Sequence, residues 1–435
     1  MDFFNISPLD NRYYDKVYDL RYFLSDFGVN KIRFDIELDY FKELVNYLHG
    51  YQNKEFYIEF TQETLEKIRE IEKKTNHDIK AIEYYIRESI LEDKTTEYSN
   101  YHNLIHFSLT SQDINSLTNT LSLKYSIENI ITPILLNLLS VVEYSSNNWM
   151  TVNMMSRTHG QPAVTTSMGK EMKVFFSRLQ RQVKKLVDYK WTTKFGGAVG
   201  NLNAHYFACP EKHWDSFMDD FCKRYEVTRN RWTTQVDHYD NLTEVFDILK
   251  RINTILIDLN ADIWMYISIN YFKLKTISSE VGSSTMPHKV NPINFENSEG
   301  NLYMANGVLN VFTQKLPISR YQRDLTDSTI CRNFGVGLGY SLLAYNSLIA
   351  GLNKLEINRE EIAKDLDDNW SILTEAVQCV MKTENIDDAY EKVKNHSRGL
   401  ETKFNRESYL SLVNSLDISP ENKHRLLNLT PTNYF

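Results

Sequence analysis

The segment VFDILKRINTILIDLNADIWMY, Val245 to Tyr266, sets apolar residues at Val245, Ile248, Leu249, Ile252, Ile255, Leu256, Leu259, Ile263 and Tyr266. Steps of three and four put them on one face of a helix. Phe246, Ile257 and Trp264 are apolar too, on other sides. A helix apolar on more than one side is covered on more than one side, in a bundle or at a subunit interface. Ile127, Ile131, Ile134, Leu135, Leu138 and Val142 repeat the spacing.

Outward from this segment, chain breakers are few. Fifteen Gly and nine Pro make up about 5–6% of the 435 residues, roughly half of average usage. No glycine occurs between Gly50 and Gly160, and no proline between Pro210 and Pro287 or between Pro317 and Pro420. Such spans favour long uninterrupted helices. The glycines gather instead at Gly160, Gly196 to Gly200, Gly282, and Gly335 to Gly339. We expect an all-α fold in three parts: shorter helices over 1–109, a central long-helix bundle over 110–352, and a small polar helical domain over 353–435.

Hydrophobic residues make up 42% and charged residues 24%, ordinary usage for a globular protein. The longest apolar stretch, Ile130 to Val142, is broken by Thr132, Pro133, Asn137 and Ser140 and reads as too short and polar to span a bilayer. The first ten residues, MDFFNISPLD, have no basic segment leading into an apolar run, so no signal peptide is expected. Cys209, Cys222, Cys331 and Cys379 form no CxxC pair, and no His/Cys cluster has metal-ligand spacing. A reduced cytosolic protein is the simple reading. The net charge of −8 disfavours nucleic-acid binding. An anionic small molecule can still bind where basic residues are concentrated locally.

Five segments concentrate such chemistry. Gly282 to Pro292, GSSTMPHKVNP, offers Gly, Ser283, Ser284, Lys289, Val290 and Asn291 in a loop with almost no core residues. Asn297 follows on a helix expected to start near Asn294. Composition alone fits any connecting loop. Ser156 to Pro162, SRTHGQP, holds His159, which could simply sit in a turn. Asn76, His77 and Asp78 precede the helical stretch Ile79 to Leu91, where Asn or Asp would cap the free N–H groups. Thr110-Ser111-Gln112-Asp113 has the form of a capping box, and a helix N-terminus also suits an anion. Ser319 to Arg332, SRYQRDLTDSTICR, packs three arginines among hydroxyls. It reads either as a solvated helix end with pairs such as Arg320–Asp324, or as a phosphate grip.

As whole strings, GSSTMPHKVNP and SRTHGQP are similar to the signatures of the fumarase, aspartase and argininosuccinate lyase superfamily. The arginine-rich segment and the opening Ser7-Pro8-Leu9-Asp10-Asn11-Arg12-Tyr13 resemble the adenylosuccinate lyase family, closest to its bacterial type. The resemblance runs from Ser7 to the Leu429–Tyr434 tail. It implies elimination of fumarate from adenylosuccinate and from the succinylated aminoimidazole carboxamide ribotide, with no metal or cofactor. It makes Ser283 the base and His159 the acid. It gives substrate contacts to Arg12, Tyr13, Asn76, His77, Asp78, Thr110, Ser111, Gln235, Ser284, Lys289, Val290, Asn291, Asn297, Arg323, Ser328, Thr329, Ile330, Cys331 and Arg332. Argininosuccinate lyase and a catalytically silent homologue are the alternatives. The arginine-rich segment speaks against the first, and intact Ser283, Lys289 and His159 against the second. Three departures stand out: Asn11 replaces an expected glycine, Leu400 an expected basic residue, and a terminal helical extension after Tyr434 is expected to be missing.

The residue types suit the reaction. Removing a proton beside a carboxylate builds a second negative charge, which backbone N–H groups and an ammonium can stabilise. Histidine, titrating near neutrality, suits proton donation to the leaving nitrogen. A helix from Thr110-Ser111 to about Asn148 would span roughly 55 Å. That length sets Ser111 and His159 at opposite ends of the bundle, so a shared pocket needs several chains. This agrees with the homotetramer that the resemblance implies.

Overall fold

The computed structural model describes residues 5–93, 95–275, 286, 289–397 and 404–435. Helices dominate, as expected, and the few strands are short. Local signals set many helix ends. The helix Asp26–His49 begins where Ser25 Oγ accepts the Gly28 N–H and stops at Gly50, whose φ of 69° few other residues adopt. At 24 residues it is longer than the short helices expected for this region.

The run from Ser111 is helical to Asn148. Its middle, Ile127–Ile131, is a π-helical turn that ends two residues before Pro133. Proline has no N–H to donate and its ring crowds the carbonyl four residues back, so the backbone widens there instead of breaking. The helix Asp240–Ser268 buries the expected stripe, with Val245, Leu249, Ile252, Leu256 and Leu259 inaccessible to solvent. Trp264, on another side, is 44% exposed. Two fully buried asparagines, Asn253 and Asn260, interrupt its apolar character. Asn253 donates to Asn306 Oδ1 at 3.0 Å and accepts from Tyr345 Oη at 2.6 Å. A buried amide that finds such partners avoids the cost of desolvation.

By length and composition alone, the helical runs Ser111–Asn148 and Thr326–Leu352 (the latter two successive helices, Thr326–Cys331 and Phe334–Leu352) could cross a bilayer, a test the shorter run Ile130 to Val142 did not suggest. The most apolar window is 67% buried in the second run but only 33% in the first.

Compactness groups the chain into two units rather than along its length. The first comprises Met1–Leu136, Arg181–Ile257 and Asn297–Asn346. Aromatic rings fill part of its core: Tyr40 packs edge-on against Phe195 and Phe221, and Tyr47 stacks on Phe217. The second comprises Asn137–Gln180, Asp258–Glu296 and Ser347–Phe435. Among the described residues, its short helices from Arg359 onward are less polar in effect than the sequence suggested. They enclose Leu366, Trp370, Leu373, Val377, Met381, Tyr409, Leu412 and Val413, and Met155 joins the same cluster.

Among the described residues, three two-stranded sheets were not anticipated. The important one is the antiparallel hairpin of Asn153–Thr158 with Gln161–Ser167. A bulge between Met155 and Arg157 leaves Ser156 out of register. Its hydroxyl replaces the missing ladder, donating to Val164 O at 2.5 Å and accepting from Val164 N at 3.2 Å.

Candidate active site

In the first unit the helix Gln62–Thr75 ends at Asn76, which is left-handed at φ 52°. The next helix, Asp78–Glu92, follows at once, and its N-cap is His77 rather than Asn76 or Asp78. His77 Nδ1 accepts the Lys80 N–H at 3.1 Å, so the ring proton sits on Nε2, 3.4 Å from Ser111 Oγ. Asp78 pairs with Arg33 at 3.2 Å. Burial pushes the Asp78 carboxyl up, but the Arg33 guanidinium, the Ile79 N–H, His77 and Arg332 together outweigh it and hold the acid below its ordinary range.

The capping box at Thr110 forms as read: the Thr110 N–H donates to Asp113 Oδ2 at 2.8 Å. The other oxygen of Asp113 has a second task. Oδ1 accepts from Lys194 Nζ at 2.5 Å, from Gly196 N at 2.8 Å and from Gly197 N at 3.0 Å. Both side chains are fully buried, and Lys194 also donates to Gly197 O at 2.6 Å. The ion pair thus locks the glycine turn against the start of the Ser111–Asn148 helix. Gln235 holds a neighbouring segment, donating from Nε2 to Ala198 O and from its backbone N–H to Gln322 O.

The arginine-rich segment ends in the short helix Thr326–Cys331. A cavity of about 400 Å³ is lined by Arg33, Asp78, Gln112, Tyr239, Asp327, Ser328, Cys331 and Arg332. Four expected substrate contacts, Asp78, Ser328, Cys331 and Arg332, therefore meet at one cavity. Burial pushes the Cys331 thiol well up, so it stands there as a neutral group. Arg320 pairs with Asp324 at 3.4 Å, the charge pair expected from the sequence. Arg323 pairs with Asp327 at 2.8 Å. Thr329 and Ile330 contribute carbonyls to Asn333. Arg332 is exposed and makes no ion pair among the described residues. Arg12 is exposed and Tyr13 N-caps the short helix Tyr14–Lys16; neither lines this cavity.

A buried pair lies in the same unit. Burial alone would push the His106 imidazole down, but Glu37, 2.9 Å from Nδ1, outweighs it and holds the ring above its ordinary value. The raised folded value means that protonated His106 stabilises the fold fully below the unfolded value near 6.5 and ceases to do so as pH rises through the folded value. A His106→Gln variant should therefore lose more stability at about pH 6 than at about pH 8.5. Urea unfolding midpoints at the two pH values test this, and an equal loss at both would contradict it.

The second unit carries His159 at the exposed tip of the hairpin. Thr158 pairs with Gln161, and the two residues between them, His159 and Gly160, have φ of 52° and 74°. These are the angles of a two-residue turn that follows the twist of the strands. Histidine tolerates this region better than most side chains. The hairpin is fastened at several points. Arg157 donates to Asp365 at 2.6 Å, Thr165 Oγ1 to Pro431 O at 2.6 Å, and Asn153 Nδ2 to Thr432 O at 2.6 Å. Tyr271 Oη donates to the same Asp365 oxygen at 2.5 Å.

Ser283 and Ser284 lie outside the described residues, as does Leu400. Lys289 and Val290 are exposed ahead of the helix Ile293–Lys315, and the Lys289 N–H donates to Met286 O at 3.0 Å. Asn291 is half-buried, and Asn297 accepts from Asn301 on that helix. Sequence reasoning overlooked Arg33, Tyr239 and Lys194, whose neighbours along the chain give no signal. It quoted Gln112 and Asp327 without giving them a role.

Helices, an arginine-lined cavity and a histidine-tipped hairpin define the class first: residues 45–307 match the family model described as Lyase. Residues 319–435 match the one described as Adenylosuccinate lyase C-terminal. The chain is 42% identical to the adenylosuccinate lyase of Escherichia coli over 440 residues, covering 99% of this chain and 96% of that protein. It is 44% identical to the adenylosuccinate lyase of Dictyostelium discoideum over 447 residues, with the same coverage. The fold is shared with a solved fumarate lyase from Mesorhizobium, at a TM-score of 0.74 and 15% identity, covering 97% of this chain and 95% of that one. The chain belongs to the adenylosuccinate lyase family.

Proposed function

We propose that this protein cleaves adenylosuccinate to AMP and fumarate, and the succinylated aminoimidazole carboxamide ribotide to its amide and fumarate, in the cytoplasm. The observation that carries this is the likeness to adenylosuccinate lyases over 99% of the chain, including the arginine-rich segment at the cavity.

On this reading Ser283 takes a proton from the carbon beside a carboxylate, and the electron pair passes into that carboxylate. Lys289, Asn291 and backbone N–H groups stabilise the added charge. The pair then returns to form the C=C bond of fumarate as the C–N bond breaks; the C–N electrons go to nitrogen, and His159 supplies the proton. Arg323, Ser328 and Arg332 hold the phosphate. Asp78 stays ionised and cannot act as an acid at neutral pH.

The working form is a homotetramer with sites shared between chains. Large apolar side chains stand exposed on the long helices: Leu136 and Tyr144, Trp264 and Met265, Tyr303 and Met304. Such surface favours an interface. The 38-residue helix Ser111–Asn148 supports the same reading.

One assay tests the chemistry: fumarate release from adenylosuccinate, argininosuccinate and malate in parallel. Turnover of adenylosuccinate is expected. Turnover of argininosuccinate alone overturns the substrate, and no turnover at all favours a silent homologue. An active monomer at assay concentration would overturn the shared sites.

A further inference from the structure

Asp327 is almost wholly buried, and five hydrogen bonds converge on its carboxylate. Oδ1 accepts from Arg323 Nη1 at 2.9 Å and from the Ser328 N–H at 2.8 Å. Oδ2 accepts from Arg323 Nη1 at 2.8 Å, from Gln112 Nε2 at 2.9 Å and from Tyr239 Oη at 2.9 Å. Gln112 Nε2 also lies 2.9 Å from Tyr239 Oη, which closes a triangle. A carboxylate so occupied has no lone pair left for a ligand, and its charge would repel a phosphate. It can instead fix the groups that do bind. The Arg323 guanidinium is held through Nη1 alone; Nε and Nη2 make no hydrogen bond among the described residues and are free for an anion. Through Gln112 the same carboxylate ties the arginine-rich segment to the helix that starts at Ser111.

We propose that Asp327 is the positioning residue of the phosphate grip: it sets Arg323 and Ser328 in register with the start of the Ser111–Asn148 helix and so makes the enzyme select phosphorylated substrate. This rests on the reading that this segment holds the phosphate.

The test compares kcat and KM of the full-length enzyme on adenylosuccinate and on the same compound without its phosphate. In Asp327→Asn, KM for adenylosuccinate should rise about tenfold, the order expected for loosening one charge-assisted hydrogen bond to phosphate. kcat should change little, and kcat/KM for the dephosphorylated compound should stay within about twofold. Tyr239→Phe removes one donor, keeps the ring, and should shift the same ratio in the same direction by less; it decides the matter if Asp327→Asn fails to fold. Equal losses on both compounds, or an unchanged ratio, overturn the proposal. If the wild-type enzyme itself does not prefer the phosphorylated compound, the underlying phosphate reading fails, and the proposal with it.

Discussion

A His159→Ala enzyme is expected to lose roughly 10²–10⁴-fold in kcat, the range for removing a positioned general acid. The loss should be chemical rather than structural. The imidazole stands at an exposed hairpin tip and makes no hydrogen bond among the described residues. The hairpin is held elsewhere, by Arg157 on Asp365 and by Thr165 and Asn153 on the C-terminal tail. His159→Asn, which keeps a side chain suited to positive φ, should be as inactive as the alanine variant. Thermal unfolding of both should stay near that of the wild type. Ser283→Ala should be nearly inactive as well. Mixing Ser283→Ala with His159→Ala and allowing subunits to exchange should restore activity, since some sites would then take an intact residue from each chain. Near-wild-type activity of His159→Ala would remove it as the acid. No recovery in verified hybrids would mean that each site draws both residues from one chain.

The second large effect concerns stability. Removing Asp113 leaves Lys194 buried with Gly197 O alone, and leaves the N–H groups of Thr110, Gly196 and Gly197 without that acceptor. Burial pushes the Lys194 ammonium below its ordinary value even with Asp113 pulling it up, so the lysine depends on this partner to remain charged. Asp113→Ala should cost about 3–5 kcal/mol, the range for breaking a buried pair from one side. Lys194→Met should cost less, because the carboxylate keeps three backbone donors. The double variant should be more stable than Asp113→Ala alone. Urea unfolding at fixed protein concentration ranks the three, and a reversed order would refute this account of the pair.

Much of the fold could be read along the chain. The stripe from Val245 to Ile263, the cap at Thr110 and the pair Arg320–Asp324 all depend on residues within four positions of one another. The hairpin under His159 escaped notice. Its strands alternate poorly, and its burial depends on a tail more than 260 residues away. His77 escaped as a cap because histidine is not among the residue types preferred there, and only the fold shows its Nδ1 accepting the Lys80 N–H. The resemblance named Asp78, Ser328 and Arg332, but their meeting at one cavity is a fact of tertiary structure.

By itself the sequence determined an all-helical lyase: apolar spacing fixes helices, and the quoted strings fix the chemistry for which those residue types are suited. Tertiary structure alone decided that Asp113 clamps Lys194 from 81 positions away, that Asp365 anchors Arg157 from 208 away, and that Asp327 joins Gln112 from 215 away. Partners that far apart along the chain leave no periodicity in the sequence. Only the folded chain brings them within hydrogen-bonding distance, and for the fully buried pair Asp113–Lys194 desolvation then makes each charge depend on the other.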